Sequence, residues 1–154
     1  MVRKAIDRLV SRLLIVLLSL LVLDVIWQVL SRYLLQNPSS FTDELAGFLL
    51  IWVGLLGAAY AVGLRKHLAI DYFIHNLPPR KKRWLELVQG VLVILFCLMV
   101  MIVGGIWLVY TRFYLDQISP ALQVPLGYVY CIVPLSGVLI IYYSVDNLFR
   151  DITS

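Results

Sequence analysis

Asp24, Gln28 and Arg32 follow one another at i, i+4 and i+8 in an otherwise apolar stretch. On a helix this spacing sets a carboxylate, an amide and a guanidinium on one stripe, with Ser31 nearby. Lipid satisfies neither a carboxylate nor an amide, so the stripe should face protein or a polar cavity. A carboxylate there either contacts other protein or carries an ion across the membrane. Arg32 lies near the helix end, where its stem can reach along apolar surface to the interface. A second stripe occurs in HLAIDYFIHNL, where His67, Asp71 and His75 recur every four residues. Two imidazoles and a carboxylate on one face are donors that a metal can use. A solvated polar face on an interfacial helix shows the same spacing and is the ordinary explanation.

Other reactive patterns are missing from the sequence. It has no CxxC pair, no intramembrane His pair for haem, no G-x-S-x-G and no P-loop. Cys97 and Cys131 fall inside apolar runs and read as small core residues. The expectation is a protein that is not an enzyme and carries no cofactor or metal of its own.

The elements that must position these residues follow from the apolar runs. The chain is 62% hydrophobic and 14% charged, with a mean hydropathy of +0.91, whereas a soluble domain carries roughly 25% charged residues. Residues 45–64, 87–111 and 117–145 contain no charge at all. Each is long enough to cross a bilayer, which takes roughly 20 apolar residues. Residues 9–33 are apolar apart from Arg12, Asp24 and Arg32. This first run is too long for a signal-peptide core and no A-x-A-like site follows, so it reads as a retained helix. The expected fold is an all-α integral membrane protein with one membrane domain, 1–154. It has four transmembrane helices, near 9–34, 43–64, 84–114 and 125–149, and a short amphipathic interfacial segment near 67–77.

Charge sets the orientation. Residues 1–12 and 65–83 carry 10 of the 13 Lys and Arg residues, which places the N-terminus and the middle loop in the cytoplasm, and the C-terminus with them after four crossings. The net charge of +4 is therefore sorted by topology and does not suggest nucleic acid. Arg80, Lys81, Lys82 and Arg83, followed by Trp84, form a basic cluster suited to anionic lipid headgroups.

Within the helices, Asn37-Pro38-Ser39-Ser40 is turn chemistry, and Ser40 or Thr42 is placed to cap the second helix. Asp43 and Glu44 then sit in its first turn, where the helix dipole favours acids. Alternatively they pair with Arg32 across the hairpin or with a neighbouring chain. Gly54/Ala58 and Gly57/Ala61 form overlapping small-xxx-small pairs that allow close helix approach in lipid, within the chain or against another subunit. Trp107, Tyr110 and Tyr114 suit one aromatic belt and Trp84 the other. Pro134 removes a backbone bond from the fourth helix and predicts a kink.

Taken in order, several segments resemble the small membrane subunit of TRAP transporters, the DctQ-type family. They are Ser31-Arg32-Tyr33, Phe41-Thr42-Asp43-Glu44-Leu45, Trp52-Val53-Gly54-Leu55-Leu56-Gly57-Ala58-Ala59-Tyr60-Ala61 and His67-Leu68-Ala69-Ile70-Asp71. Leu77-Pro78-Pro79-Arg80, Ser119-Pro120 and Pro134 follow at matching places. The resemblance implies a three-part importer in a bacterial or archaeal cytoplasmic membrane. A periplasmic substrate-binding protein captures an organic acid, a carboxylate or a sulfonate. A large multi-span subunit carries it inward with sodium, which binds there and not on this chain. The small subunit braces the large one, a separate polypeptide because this chain ends at Ser154.

On this reading the candidate subunit contacts are Asp24, Gln28, Arg32, Glu44, Gly47, Trp52, Gly54, Gly57, Ala58 and Ala61. His67 and Asp71 are family-pattern positions on the cytoplasmic side. The loops near 38–41 and 116–123 face the periplasm and are placed to help dock the binding protein. The competing reading is a minimal homodimeric, proton-coupled exporter using Asp24. Against it stands the lack of repeats and broken helices that usually build a midplane transport site.

Overall fold

The computed structural model describes residues 2–35, 39–64 and 79–153. The expected interfacial segment near 67–77, with His67, Asp71 and His75, lies outside the described residues. Helix α1 runs Val2–Tyr33 and α2 runs Ser40–Gly63. The third rod is composite: α3 over Pro79–Phe96, a π-helical stretch over Cys97–Gly104, and α4 over Gly105–Tyr114. The fourth comprises α5, Leu126–Tyr130, and α6, Ile132–Thr153. Among the described residues four helices are thus long and apolar enough to cross a membrane: Arg3–Tyr33, Ser40–Gly63, Trp84–Tyr114 and Leu126–Phe149. The fold is all-α. Among the described residues the extended pairing is confined to one isolated bridge between Ile118 and Pro125.

Local chemistry accounts for the ends and breaks. The N-cap of α2 is Ser39, and not Ser40 or Thr42 as expected. Its side chain accepts from the Thr42 amide at 3.5 Å, and Thr42 Oγ1 donates back to the Ser39 carbonyl at 3.0 Å. Asp43 occupies the first turn as the dipole favours. In the fourth rod Pro134 has no N–H to offer the Tyr130 carbonyl, and its ring crowds that oxygen. The helix is interrupted just upstream at Cys131, where Leu135 N–H reaches the Cys131 carbonyl at a long 3.4 Å.

Helix α6 is the centre of the bundle and packs against α2, α3 and the π-helical stretch, while α1 packs chiefly on α2. The core holds Ala59, Val62, Cys97, Met101, Ile140 and Tyr143. Helix α1 lies at the periphery and leaves Leu9, Ile15, Leu23 and Trp27 more than half exposed. An apolar surface this continuous has lipid or protein, not water, as its natural neighbour.

Polar bonds tie the helix ends together. The Arg3 guanidinium, beside Asp7 on its own helix (3.8 Å), bonds Asp146 on α6 and the Gly63 carbonyl at the end of α2. Asn147 Nδ2 donates to the Val62 carbonyl at 3.0 Å, and Tyr143 Oη donates to Asp7 Oδ1 at 2.7 Å. Arg3, read from sequence only as part of a topological charge cluster, is one of the residues that join three helices.

Close approach depends on a few glycines. A Cβ at Gly137 on α6 would stand 2.8 Å from Met101 Cβ on the π-helical stretch, nearer than real Cβ contacts come. A Cβ at Gly54 would meet nothing within 4 Å. Gly137→Leu is therefore expected to destabilise the detergent-solubilised protein by about 1–3 kcal/mol through overpacking. Gly54→Leu should stay within about 0.5 kcal/mol of wild type, as a surface change does. Thermal unfolding in one detergent checks the pair.

Candidate subunit interface on the first hairpin

Helices α1 and α2 form an antiparallel hairpin. Gln28 Nε2 donates to Asp43 Oδ1, and the Leu14 side chain lies 4.0 Å from where a Gly57 Cβ would stand. These two pairs share one register, which sets Asp24 at the level of Gly47. The expected stripe is thus divided. Gln28 is used inside the hairpin, and Asp43 takes this amide instead of Arg32. Among the described residues Arg32 forms no ion pair. It is exposed and borders a cleft of about 320 Å³ that it shares with Gln28, Ser39, Ser40 and Asp43. Asp24 is half-buried, and its Oδ2 is enclosed without a hydrogen-bond partner among the described residues.

The 3.6-residue period separates the α2 candidates by face. Gly47, Gly54 and Ala58 are exposed, with Leu50 between them 62% exposed. Neither Gly47 nor Gly54 has any atom within 4 Å of a built Cβ. Gly57 and Ala61 lie half-buried at the edge of this strip. The opposite face carries the buried Leu56, Ala59 and Gly63. At Gly47, Gly54 and Ala58 the small-residue face therefore looks away from the described bundle, while Gly57 lies against Leu14 of α1.

Glu44 and Trp52 turn inward. Trp52 Nε1 donates to the Val129 carbonyl on α5 at 3.0 Å. Glu44 Oε2 accepts two backbone amides, from Ala121 at 2.9 Å and Leu122 at 2.8 Å. These amides belong to a tightly closed loop. Ser119 N–H donates to the Val124 carbonyl and Leu126 N–H to the Gln117 carbonyl, each at 2.9 Å. Asp116 and Gln123 adopt left-handed φ angles of 49° and 55° to make the turns. Glu44 thus clips the start of α2 to the loop that leads into the fourth rod, a use that neither a dipole argument nor an ion pair with Arg32 anticipates. A buried indole N–H must find an acceptor, so Trp52 could be read as bonded but not to what.

Of the lipid-facing candidates, Trp84 is 66% exposed. Arg80, Lys81, Lys82 and Arg83 fall at the start of α3, and their side chains lie outside the described set.

The profile of the family described as tripartite ATP-independent periplasmic transporters, DctQ component, matches residues 20–154. The chain belongs to this family. Among its relatives, the sialic acid TRAP transporter small permease protein SiaQ of Vibrio cholerae is 26% identical over 151 residues, covering 97% of this chain and 85% of SiaQ. The ectoine TRAP transporter small permease protein TeaB of Halomonas elongata is 28% identical over 158 residues, covering 96% of this chain and 80% of TeaB. The sialic acid TRAP transporter permease protein SiaT of Haemophilus influenzae is 37% identical over 79 residues, which make up 51% of this chain and 13% of that protein. A DctQ component is part of a transporter, and four apolar helices make this one a multi-pass membrane protein.

In a DctQ component whose helix 2 is held by Glu44, removing the carboxylate leaves two amides of the 115–125 loop without their acceptor. Hydrogen bonds to a charged group contribute about 1.5–3 kcal/mol. Glu44→Ala should lower stability by about that amount and make the loop markedly more sensitive to protease, with Glu44→Gln intermediate. Proteolysis of purified protein followed by mass mapping reads both effects.

Proposed function

We propose that this chain is the bracing subunit of a binding-protein-dependent secondary importer, and that the outward face of its first hairpin packs against a separate large permease subunit. The observation that carries the reading is the family match over residues 20–154 together with a small-residue face on α2 that, at Gly47, Gly54 and Ala58, none of the described residues covers. In lipid, helices associate through close packing and polar contacts. Gly47, Gly54 and Ala58 offer the first, and the unpartnered Asp24 Oδ2 offers an acceptor for the second. Arg32 is the further polar candidate on the same hairpin. Gly57 and Ala61 extend the packing strip at its edge.

On this reading the importer sits in the bacterial inner membrane, with both termini of this chain and its basic middle loop in the cytoplasm, the side favoured by its Lys and Arg. A periplasmic protein delivers the solute, and a sodium gradient drives transport through the large subunit. The solute is an organic acid. The relatives' names, which include sialic acid and ectoine, support no single choice within that class. The exporter reading has only the unpaired Asp24 oxygen behind it, and membership in a transporter-component family favours the subunit role.

Co-purification from cells expressing a tagged form of this chain with its large permease tests the interface. Gly54→Leu combined with Ala58→Leu should reduce the recovered permease about tenfold, equivalent to roughly 1.4 kcal/mol of association, with the small subunit's own melting unchanged. Val103→Leu, at an exposed position on the third rod, serves as the control. Recovery of the permease at wild-type level with the double variant would overturn the interface.

A further inference from the structure

Along one edge of the third rod runs a groove of about 630 Å³. Val100, Gly104, Leu108 and Arg112 line it at four-residue intervals, with Trp107 beside them and Gln117 at its end. At no more than 1.5 Å per residue the distance from Val100 to Arg112 is at most about 18 Å, over half of the roughly 30 Å hydrocarbon thickness of a bilayer. The groove is apolar where Val100 and Leu108 line it. Its polar groups gather at the other end, near the exposed Tyr110 and Tyr114, whose rings stack at 5.9 Å and suit the level of lipid headgroups.

Arg112 is held in place at that end. Its Nη1 bonds Gln117 Oε1, and its guanidinium lies 5.2 Å from the centroid of the Tyr130 ring. Neither partner is an anion, and among the described residues Arg112 forms no ion pair. A fixed and uncompensated guanidinium suits a phosphate, which it can bind through paired N–H donors. The groove also has room at its floor, because a Cβ at Gly104 would meet only a carbonyl oxygen, that of Met99, at 3.8 Å.

We propose that this groove seats one anionic phospholipid, with an acyl chain along Val100, Gly104 and Leu108 and the phosphate on Arg112. The gradient from apolar floor to single cation matches a lipid's own order of tail and headgroup. This site is on the third rod, apart from the small-residue face of α2, and does not rest on that face's assignment to the large permease.

The test uses the complex of this chain with its large permease, reconstituted in nanodiscs of equal phosphatidylglycerol and phosphatidylethanolamine, released into mild detergent and read by native mass spectrometry. The wild type should retain phosphatidylglycerol over phosphatidylethanolamine by about fivefold, the effect of one basic residue beside anionic headgroups. Arg112→Gln should bring the two lipids to parity, and Arg112→Lys should keep part of the preference, which guards against a folding artefact. Gly104→Phe should fill the groove and remove retained lipid of both kinds. A benzophenone side chain in place of Leu108 should crosslink to lipid. An unchanged preference in Arg112→Gln, undiminished lipid in Gly104→Phe, or a crosslink from position 108 to the large permease would each overturn the proposal.

Discussion

A polar group within the apolar length of this bundle has no water to turn to, and leaving it without a partner costs several kcal/mol. The few polar side chains that enter the bundle therefore decide which helix ends meet. Both ends of α2 are held in this way. At its start Glu44 takes the amides of Ala121 and Leu122. At its end the carbonyls of Val62 and Gly63 receive Asn147 and Arg3. Trp52 adds a bond to α5 between them. Because α2 is fixed along its length by its inward face, its other face has a defined direction, and the hairpin partner α1 is carried with it.

Packing between the helices follows the same economy of small residues. In lipid the hydrophobic effect adds little between helices, so contact has to be close to be favourable. Gly137 lets α6 come against Met101 on the π-helical stretch, and Gly105 sits against Pro134 and Val133. These close approaches join the third and fourth rods around Tyr143, Ile140 and Cys97. Glycines on α2 do something different. Gly63 receives the Tyr143 ring, whereas Gly47 and Gly54 meet nothing. Identical residue types on one helix thus serve internal contacts at Gly63 and Gly57 and an open surface at Gly47 and Gly54.

Membership in the DctQ component family gives that open surface a context. A transporter component need not contain a transport path. In this chain the polar atoms of the inner face are mostly spent on its own architecture. Of the stripe Asp24, Gln28 and Arg32, the described bundle uses Gln28 and leaves Asp24 Oδ2 and the Arg32 guanidinium. A carboxylate oxygen enclosed without a partner is costly in a finished structure, and a donor from the proposed partner subunit would relieve this cost.

Apolar length and the placement of charge were legible in the sequence, because crossing a bilayer constrains every residue of a span independently of what it packs against. The four spans, the small-residue strip and the irregularity near Pro134 follow from that constraint and from local backbone chemistry. Family resemblance was legible too, in an ordered set of short segments. Tertiary structure alone decided which candidates face inward. Glu44 and Gln28 are polar in sequence like Asp24 and Arg32, and Trp52 carries one N–H, yet these three are used within the chain, across separations that no local pattern encodes. Arg3 was hidden for the same reason, since a charge near a terminus looks alike whether it meets water or three helix ends. The π-helical stretch left no mark in the sequence either: an all-apolar run has no polar face to show whether its turns hold one residue more. Composition and spacing determine that a helix forms and what surrounds it, and only long-range pairing determines which of its side chains remain for another molecule.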